Sequence, residues 1–232
     1  MSHLFEEEKK SIIDLIVLHI EKKLSKKHAA LCSEFVRQYF MTMSIEDLKE
    51  SSIDDLYGLA VNFWSLIRTR QPNETKIKIY NPNIEEHGWK NTHTVVELIC
   101  DDMPFIVDSL RIVLKRMDIG LFLTVHMGGI RLIRDKEHQI SAILPRFEEA
   151  VPRMLIEAPI LMKIDRQNDP TVLKELESQF HRVLIENRAV VDDWDLMRKK
   201  VWAIAEELQH APVSIDQDEI QETQAFLRWL AD

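Results

Sequence analysis

Between Thr92 and Ser109, the stretch THTVVELICDDMPFIVDS, a run rich in β-branched residues passes through an Asp-Asp pair and a proline into apolar positions at helical spacing. That succession predicts a strand, a tight turn and a helix start. Upstream, Ile12, Ile13, Ile16, Val17, Ile20 and Leu24 recur in steps of three and four, and Leu31, Phe35 and Tyr39 repeat the pattern, which predicts two amphipathic helices. Ser44 with Asp47, and Ser52 with Asp55, have the spacing of a hydroxyl cap followed by an acidic first turn. The second of these opens a helix carrying Ile53, Leu56, Tyr57, Ala60, Phe63, Trp64 and Ile67 on one face until Gln71-Pro72 stops it. Residues 1–72 therefore read as a helical segment.

The period then shortens to that of strands. Lys76-Ile77-Lys78-Ile79-Tyr80 alternates, Asn81-Pro82-Asn83 turns the chain, and Thr92 to Cys100 follows as a second strand. After the corner, Ile106, Leu110, Val113, Leu114 and Met117 share a helix face, and Gly120 is placed to end that helix in the left-handed conformation. Leu121 to Ile133 reads as one long strand in which Gly128-Gly129 marks a bulge or a close backbone approach. Gln139 to Leu144 reads as its hairpin partner, Pro145, Pro152 and Pro159 as loop punctuation, and Ile160 to Ile164 as the last strand.

Asp169-Pro170 has the chemistry of a helix start. From Leu173 through Leu176, Phe180, Val183, Asn187, Val190, Trp194, Met197, Val201, Ile204 and Leu208 the steps alternate between three and four, a heptad seam. This predicts either one helix over 170–209 or two helices breaking near Val191-Asp192-Asp193. Asn187, Trp194 and Met197 lie on that seam and are candidate interface residues, with Asn187 the one that would fix register against a partner helix. Residues 211–232 hold a final amphipathic piece, Ile220 to Leu230, whose apolar end suggests the start of a following, truncated region.

Charge narrows the partners. A net charge of -9 argues against an electrostatic footprint for nucleic acid or an acidic membrane, and no apolar run approaches membrane-spanning length. Two cysteines are too few for a disulfide framework, and the polar, acidic N-terminus is unlike a secretory signal, so a cytoplasmic home is expected.

Candidate chemistry is sparse. Five glycines leave no phosphate loop or dinucleotide fingerprint, and the nine histidines never fall at ligand spacing with one another, so neither a cofactor nor a metal is expected in this chain. Asp101 and Asp102 admit three readings: an acid/base or hard-cation pair, caps for a helix starting at Pro104, or neighbours of backbone N–H groups that hold the carboxylate of a small ligand. No catalytic constellation is visible.

The stretch Asp101-Asp102-Met103-Pro104-Phe105-Ile106-Val107-Asp108-Ser109 resembles the N-terminal region of the large bacterial NAD-dependent glutamate dehydrogenases, which contains ACT-like domains. DLYG at 55–58, YNPNIEEHGW at 80–89, IDRQNDP at 164–170, VDDW at 191–194 and FLRWLAD at 226–232 resemble the same region in the same order. The resemblance implies an α+β fold: an N-terminal helical layer, an ACT-like antiparallel four-stranded sheet with helices on one face over 73–210, and a long C-terminal helix. Because a long helix follows where the usual last strand should be, Thr75 to Tyr80 is expected to supply the fourth strand from the N-terminal side. The resemblance also implies that the catalytic domain and its NAD site lie downstream, so that this chain is a non-catalytic regulatory and assembly segment. Its partners would be the other domains of the same polypeptide, a further copy in a homo-oligomer, and an amino-acid effector at Asp101, Asp102, Met103, Pro104, Phe105 and Asp108. Phe105 stands where such domains carry a glycine that admits a ligand, and a side chain of that size could fill the pocket. The alternative is a purely structural interaction module without a ligand.

Overall fold

The computed structural model describes residues 2–147, 149–210 and 216–232. Two compact units, Met1–Val183 and Leu184–Asp232, divide the chain, with the boundary inside one long helix.

The first unit opens with four helices, α1 (Ser2–Lys23), α2 (Lys26–Phe40), α3 (Ile45–Lys49) and α4 (Ile53–Ile67). Both hydroxyl caps form: the Asp47 N–H donates to Ser44 Oγ at 3.0 Å and the Asp55 N–H to Ser52 Oγ at 3.1 Å, and each serine hydroxyl donates back to the aspartate carboxylate at 2.7 Å. These reciprocal pairs satisfy helix-end donors that would otherwise lack partners.

β1 (Lys76–Tyr80), β2 (Thr94–Asp101), β3 (Leu121–His126), β4 (Ile130–Arg134), β5 (Ile140–Ile143) and β6 (Leu155–Ile164) then build one antiparallel sheet in the order β1-β2-β6-β4-β5, with β3 also on β6. β1 pairs with β2 from Lys76↔Ile99 to Tyr80↔Val95, so the outer strand does arrive from the N-terminal side. The sheet has six strands rather than four, because β5 forms a hairpin with β4 and because β3 and β4 lie end to end along β6 instead of forming one strand.

The interruption has a cause in β6. Pro159 lies inside that strand, not in a loop, paired with Ile99 of β2. Even-numbered residues of β6 turn their backbone groups toward β2, as the Asp102 N–H donating to the Ile156 carbonyl shows, and odd-numbered ones toward β3 and β4, as the Asp165 N–H donating to the Gly120 carbonyl shows. The N–H that proline lacks therefore falls on the side of the gap at Met127 to Gly129, where there is no ladder bond to lose.

Strand alternation gives the sheet two buried faces. Val95, Ile99, Leu161, Val125, Leu132 and Ile140 join Ile16, Ile20, Phe35, Tyr39 and Phe63 of the helical layer in one core. Val96, Leu98, Ile160, Met162 and Ile164 are buried on the other face. That face is covered by α6 (Ile106–Arg116), the next long helix after the short α5 (Ile84–His87), and by the first turns of α7 (Pro170–Glu207), through Leu110, Val113, Leu176 and Phe180. The left-handed residue after α6 is Asp118, at φ 55°, and not Gly120. Gly120 instead donates its N–H to the Asp165 carboxylate at 2.6 Å, where a Cβ would collide with that side chain.

α7 is one continuous helix; Asp169 caps its start by accepting from the Thr171 N–H at 2.8 Å. In the second unit its later turns lead through a 3-10 turn at Leu208–His210 to α8 (Gln217–Ala231). The Gln224 amide donates to the Ala205 carbonyl at 2.7 Å, Arg228 pairs with Glu206 at 2.8 Å, and Arg198 donates to the Ala231 carbonyl at 2.7 Å. Of the seam residues named above, Asn187 is buried while Trp194 and Met197 are exposed.

Candidate functional site

β2 ends at Asp101 and α6 begins only at Ile106, so four residues, Asp102, Met103, Pro104 and Phe105, make the corner. The expectation that the aspartates cap a helix starting at Pro104 is therefore corrected. The residue at the cap position is Phe105, in the left-handed conformation at φ 65° and ψ 9°, and no side chain among the described residues caps the helix. A carboxylate four or five residues ahead of the first helical residue is out of place for the N–H groups of the first turn. The ring of Phe105 is 65% exposed, so it points to solvent and does not fill a pocket. Left-handed backbone at a residue other than glycine costs roughly 1–2 kcal/mol, which explains why glycine suits this position.

Asp102 is exposed, and its carboxylate makes no hydrogen bond among the described residues. It stands beside Gly129, where a Cβ would collide with both Ile156 and the Asp102 carboxylate; this is the close backbone approach marked by the glycine pair. His126 lies near it with a buried Nδ1 that has no partner among the described residues. Burial lowers the His126 pKa, and the Asp102 charge opposes the shift. Asp108 sits in the first turn of α6, where its charge suits the helix dipole.

Asp101 turns to the opposite face. There it receives Arg70 Nη2 at 2.6 Å, while Arg70 Nη1 lies 2.9 Å from Glu157 and Arg70 Nε donates to the Glu74 carbonyl at 2.6 Å. Glu157 is directly opposite Asp101 in the β2–β6 register and also holds Arg134, through contacts of 2.8 and 2.7 Å. Arg134 spends its other donors on the carbonyls of Ile67, Arg68 and His138. The network ties the end of α4 to the end of the sheet. It forms one wall of a cavity of about 690 Å³ that is also lined by Pro72, Ile133, Lys136, Arg153 and Leu155.

A further buried charge lies midway along β2. Glu97 is wholly buried, accepts the Tyr80 hydroxyl at 2.7 Å on one oxygen and has no partner on the other among the described residues. Burial pushes its pKa up to about 7, against the opposing effects of the Tyr80 hydrogen bond and of Lys78, which faces it in register. Among the described residues no group of three or more His, Cys, Asp or Glu side chains could hold a metal ion.

A family model described as glutamate dehydrogenase, ACT1 domain, matches residues 35–180, which include the end of α2, α3 and α4, the whole sheet, the corner and the start of α7. The chain belongs to that family. The chain is also similar to two curated proteins, each named NAD-specific glutamate dehydrogenase. The one from Halomonas elongata is 33% identical over 99% of this chain, and the one from Pseudomonas aeruginosa is 30% identical over 85%. The chain spans 14% and 12% of their respective lengths.

Of the candidate effector residues of this ACT1 chain, Asp102, Met103, Pro104 and Phe105 form the corner and Asp108 follows on α6, whereas Asp101 belongs to the arginine network on the other face. Sequence reasoning missed Arg70, Arg134 and Glu157. Arg70 lies at the helix end before Gln71-Pro72, Arg134 between two expected strands and Glu157 among the loop prolines, and the signal for Glu157 was a lone glutamate just before the apolar run of β6.

Proposed function

We propose that this chain is the non-catalytic regulatory and assembly segment of a cytoplasmic NAD-dependent glutamate dehydrogenase, and that its strand–helix corner receives an amino-acid effector. The complete enzyme would oxidise glutamate with NAD and water to 2-oxoglutarate, ammonia and NADH, with NAD held elsewhere in the polypeptide. The observation that carries this reading is the pairing, in an ACT1-family chain, of an α6 start uncapped by any described side chain with an exposed Asp102 carboxylate that has no hydrogen-bond partner among the described residues. Free N–H groups at a helix start favour a carboxylate, and a nearby aspartate favours an ammonium group, so the two complement the ends of an α-amino acid. An effector regulates only through different affinities for two states of the enzyme, and Asp108 and Phe105 border the surface it would touch.

Calorimetric titration of the chain with a panel of amino acids tests the reading. Binding by at least one of them that weakens in Asp102→Ala supports it, and no heat from any of them rejects the effector role. The second reading, a structural module, is favoured by the exposed apolar residues of the second unit, Trp194, Met197, Phe226 and Trp229. Sedimentation of wild type and Asn187→Leu decides whether these faces join copies of the chain. A monomer in both would end the self-association reading.

A further inference from the structure

We infer that the cavity beside Arg70 is a second binding site, distinct from the corner, for a small organic acid with two carboxylates. The two arginines of its wall differ in what they have left to give. A guanidinium has five N–H donors. Arg134 uses five, on Glu157 twice and on the carbonyls of Ile67, Arg68 and His138. Arg70 uses three, on Asp101, Glu157 and the Glu74 carbonyl, although it is 98% buried at a relative exposure of 2%. Two N–H groups of a buried cation at the cavity wall are therefore without a protein acceptor among the described residues, a costly arrangement unless something in the cavity accepts from them.

A carboxylate is the acceptor that matches a guanidinium edge. The acids already present cannot fill the role. Glu157 is shared between both arginines, Asp101 is engaged by Arg70, and Asp135 accepts from the N–H groups of Glu137 and Gln139 in its own turn. A second point of attachment lies at the rim. Lys136 and Arg153 are exposed, line the same cavity and make no contact with an acid among the described residues. Pro72, Ile133 and Leu155 supply apolar wall. Two cationic attachments with apolar wall suit a short carbon chain with a charge at each end better than a single compact anion. The cavity volume of about 690 Å³ is within the range of small-molecule sites. The inference deepens the regulatory reading by naming a ligand class, and it rests on a face of the sheet that the corner does not use.

The test is calorimetric titration of the chain with glutarate, a five-carbon diacid without an amino group, and with inorganic phosphate. Four proteins are compared: wild type, the double variant Lys136→Ala/Arg153→Ala, Arg70→Lys and Asp102→Ala. Wild type and Asp102→Ala should bind glutarate equally. The double variant should bind at least tenfold more weakly while melting at the wild-type temperature, because both of its side chains are exposed. Arg70→Lys, which keeps the charge and loses the fork, should also weaken binding. The inference is overturned by silence with glutarate in the wild type, by phosphate binding as well as glutarate, or by undiminished affinity in the double variant. Because glutarate lacks the amine that the corner would require, its failure would leave the effector reading to be judged by the amino-acid titration and Asp102→Ala alone.

Discussion

Tyr80 and Glu97 meet diagonally across the β1–β2 pair, with the tyrosine hydroxyl donating to one carboxylate oxygen at 2.7 Å inside the core. The other oxygen has no partner among the described residues, and burial holds the carboxyl up at about 7 against its ordinary 4.5. The folded state thus binds this proton more tightly than the unfolded chain does. The contribution of Glu97 to stability is complete below pH 4.5, is lost as pH rises through 7, and is flat above; the loss is about 3 kcal/mol at most. Glu97→Gln, which can still accept from Tyr80, should remove this slope, so that its denaturant midpoint exceeds that of wild type at pH 8 and converges with it at pH 4. A wild-type slope retained in the variant would contradict the assignment.

Glu157 is the shared acceptor of Arg70 and Arg134, and all three side chains are buried. Glu157→Ala leaves two guanidinium groups short of their partner, and a loss of about 3–5 kcal/mol is expected in equilibrium denaturation. Arg153→Ala, on the rim of the same cavity, should change stability by less than about 0.5 kcal/mol. Equal losses in the two variants would show that the network does not hold the end of α4 to the sheet.

The backbone strain at Phe105 gives a third expectation. Phe105→Gly relieves a left-handed φ and exposes no cavity, because the ring is already in solvent, so the variant should be as stable as wild type or gain up to about 1 kcal/mol. Phe105→Ile places a β-branched side chain in the same conformation and should lose stability. Thermal melts of the three proteins give the order Gly, Phe, Ile; any other order contradicts the conformation.

Gly58 lies in α4 with the Trp89 side chain packed directly against it, and Trp89 is buried. In an open helix, Gly→Ala gains roughly 0.5–1 kcal/mol. Here an added methyl would collide with the inner atoms of the indole side chain, so Gly58→Ala should instead destabilise by about 1–3 kcal/mol in urea denaturation. A gain in the variant would mean that Trp89 does not rest on that helix.

What the sequence made legible was local. The three-and-four spacing of α1, α2 and α4, the Ser-x-x-Asp caps, and the alternation of Lys76 to Tyr80 all concern residues close together in the chain, and their physics does not depend on the rest of the fold. Lys76 and Lys78 illustrate the limit. Alternation places them on one face, but only the fold shows that Lys76 reaches the carbonyls of Leu66 and Thr69 at 2.6 and 2.8 Å. Pro159 was read as a loop residue because a proline inside a central strand ordinarily loses a ladder bond; the gap between β3 and β4 that accommodates it comes from a different part of the chain. The arginine network depends in the same way on distant pairings: β2–β6 sets Asp101 opposite Glu157, and the Thr69↔Gln139 bridge with the Arg70 N–H donating to the His138 carbonyl places Arg70, so no spacing within one segment marks it.

The central proposal is that this ACT1-family chain regulates and assembles but does not itself perform the chemistry. The most direct measurement is glutamate-dependent reduction of NAD by the purified chain, followed by NADH absorbance at high protein concentration. No turnover above the protein-free blank is predicted, whereas NADH formation that scales with the chain's concentration and requires glutamate would contradict the account.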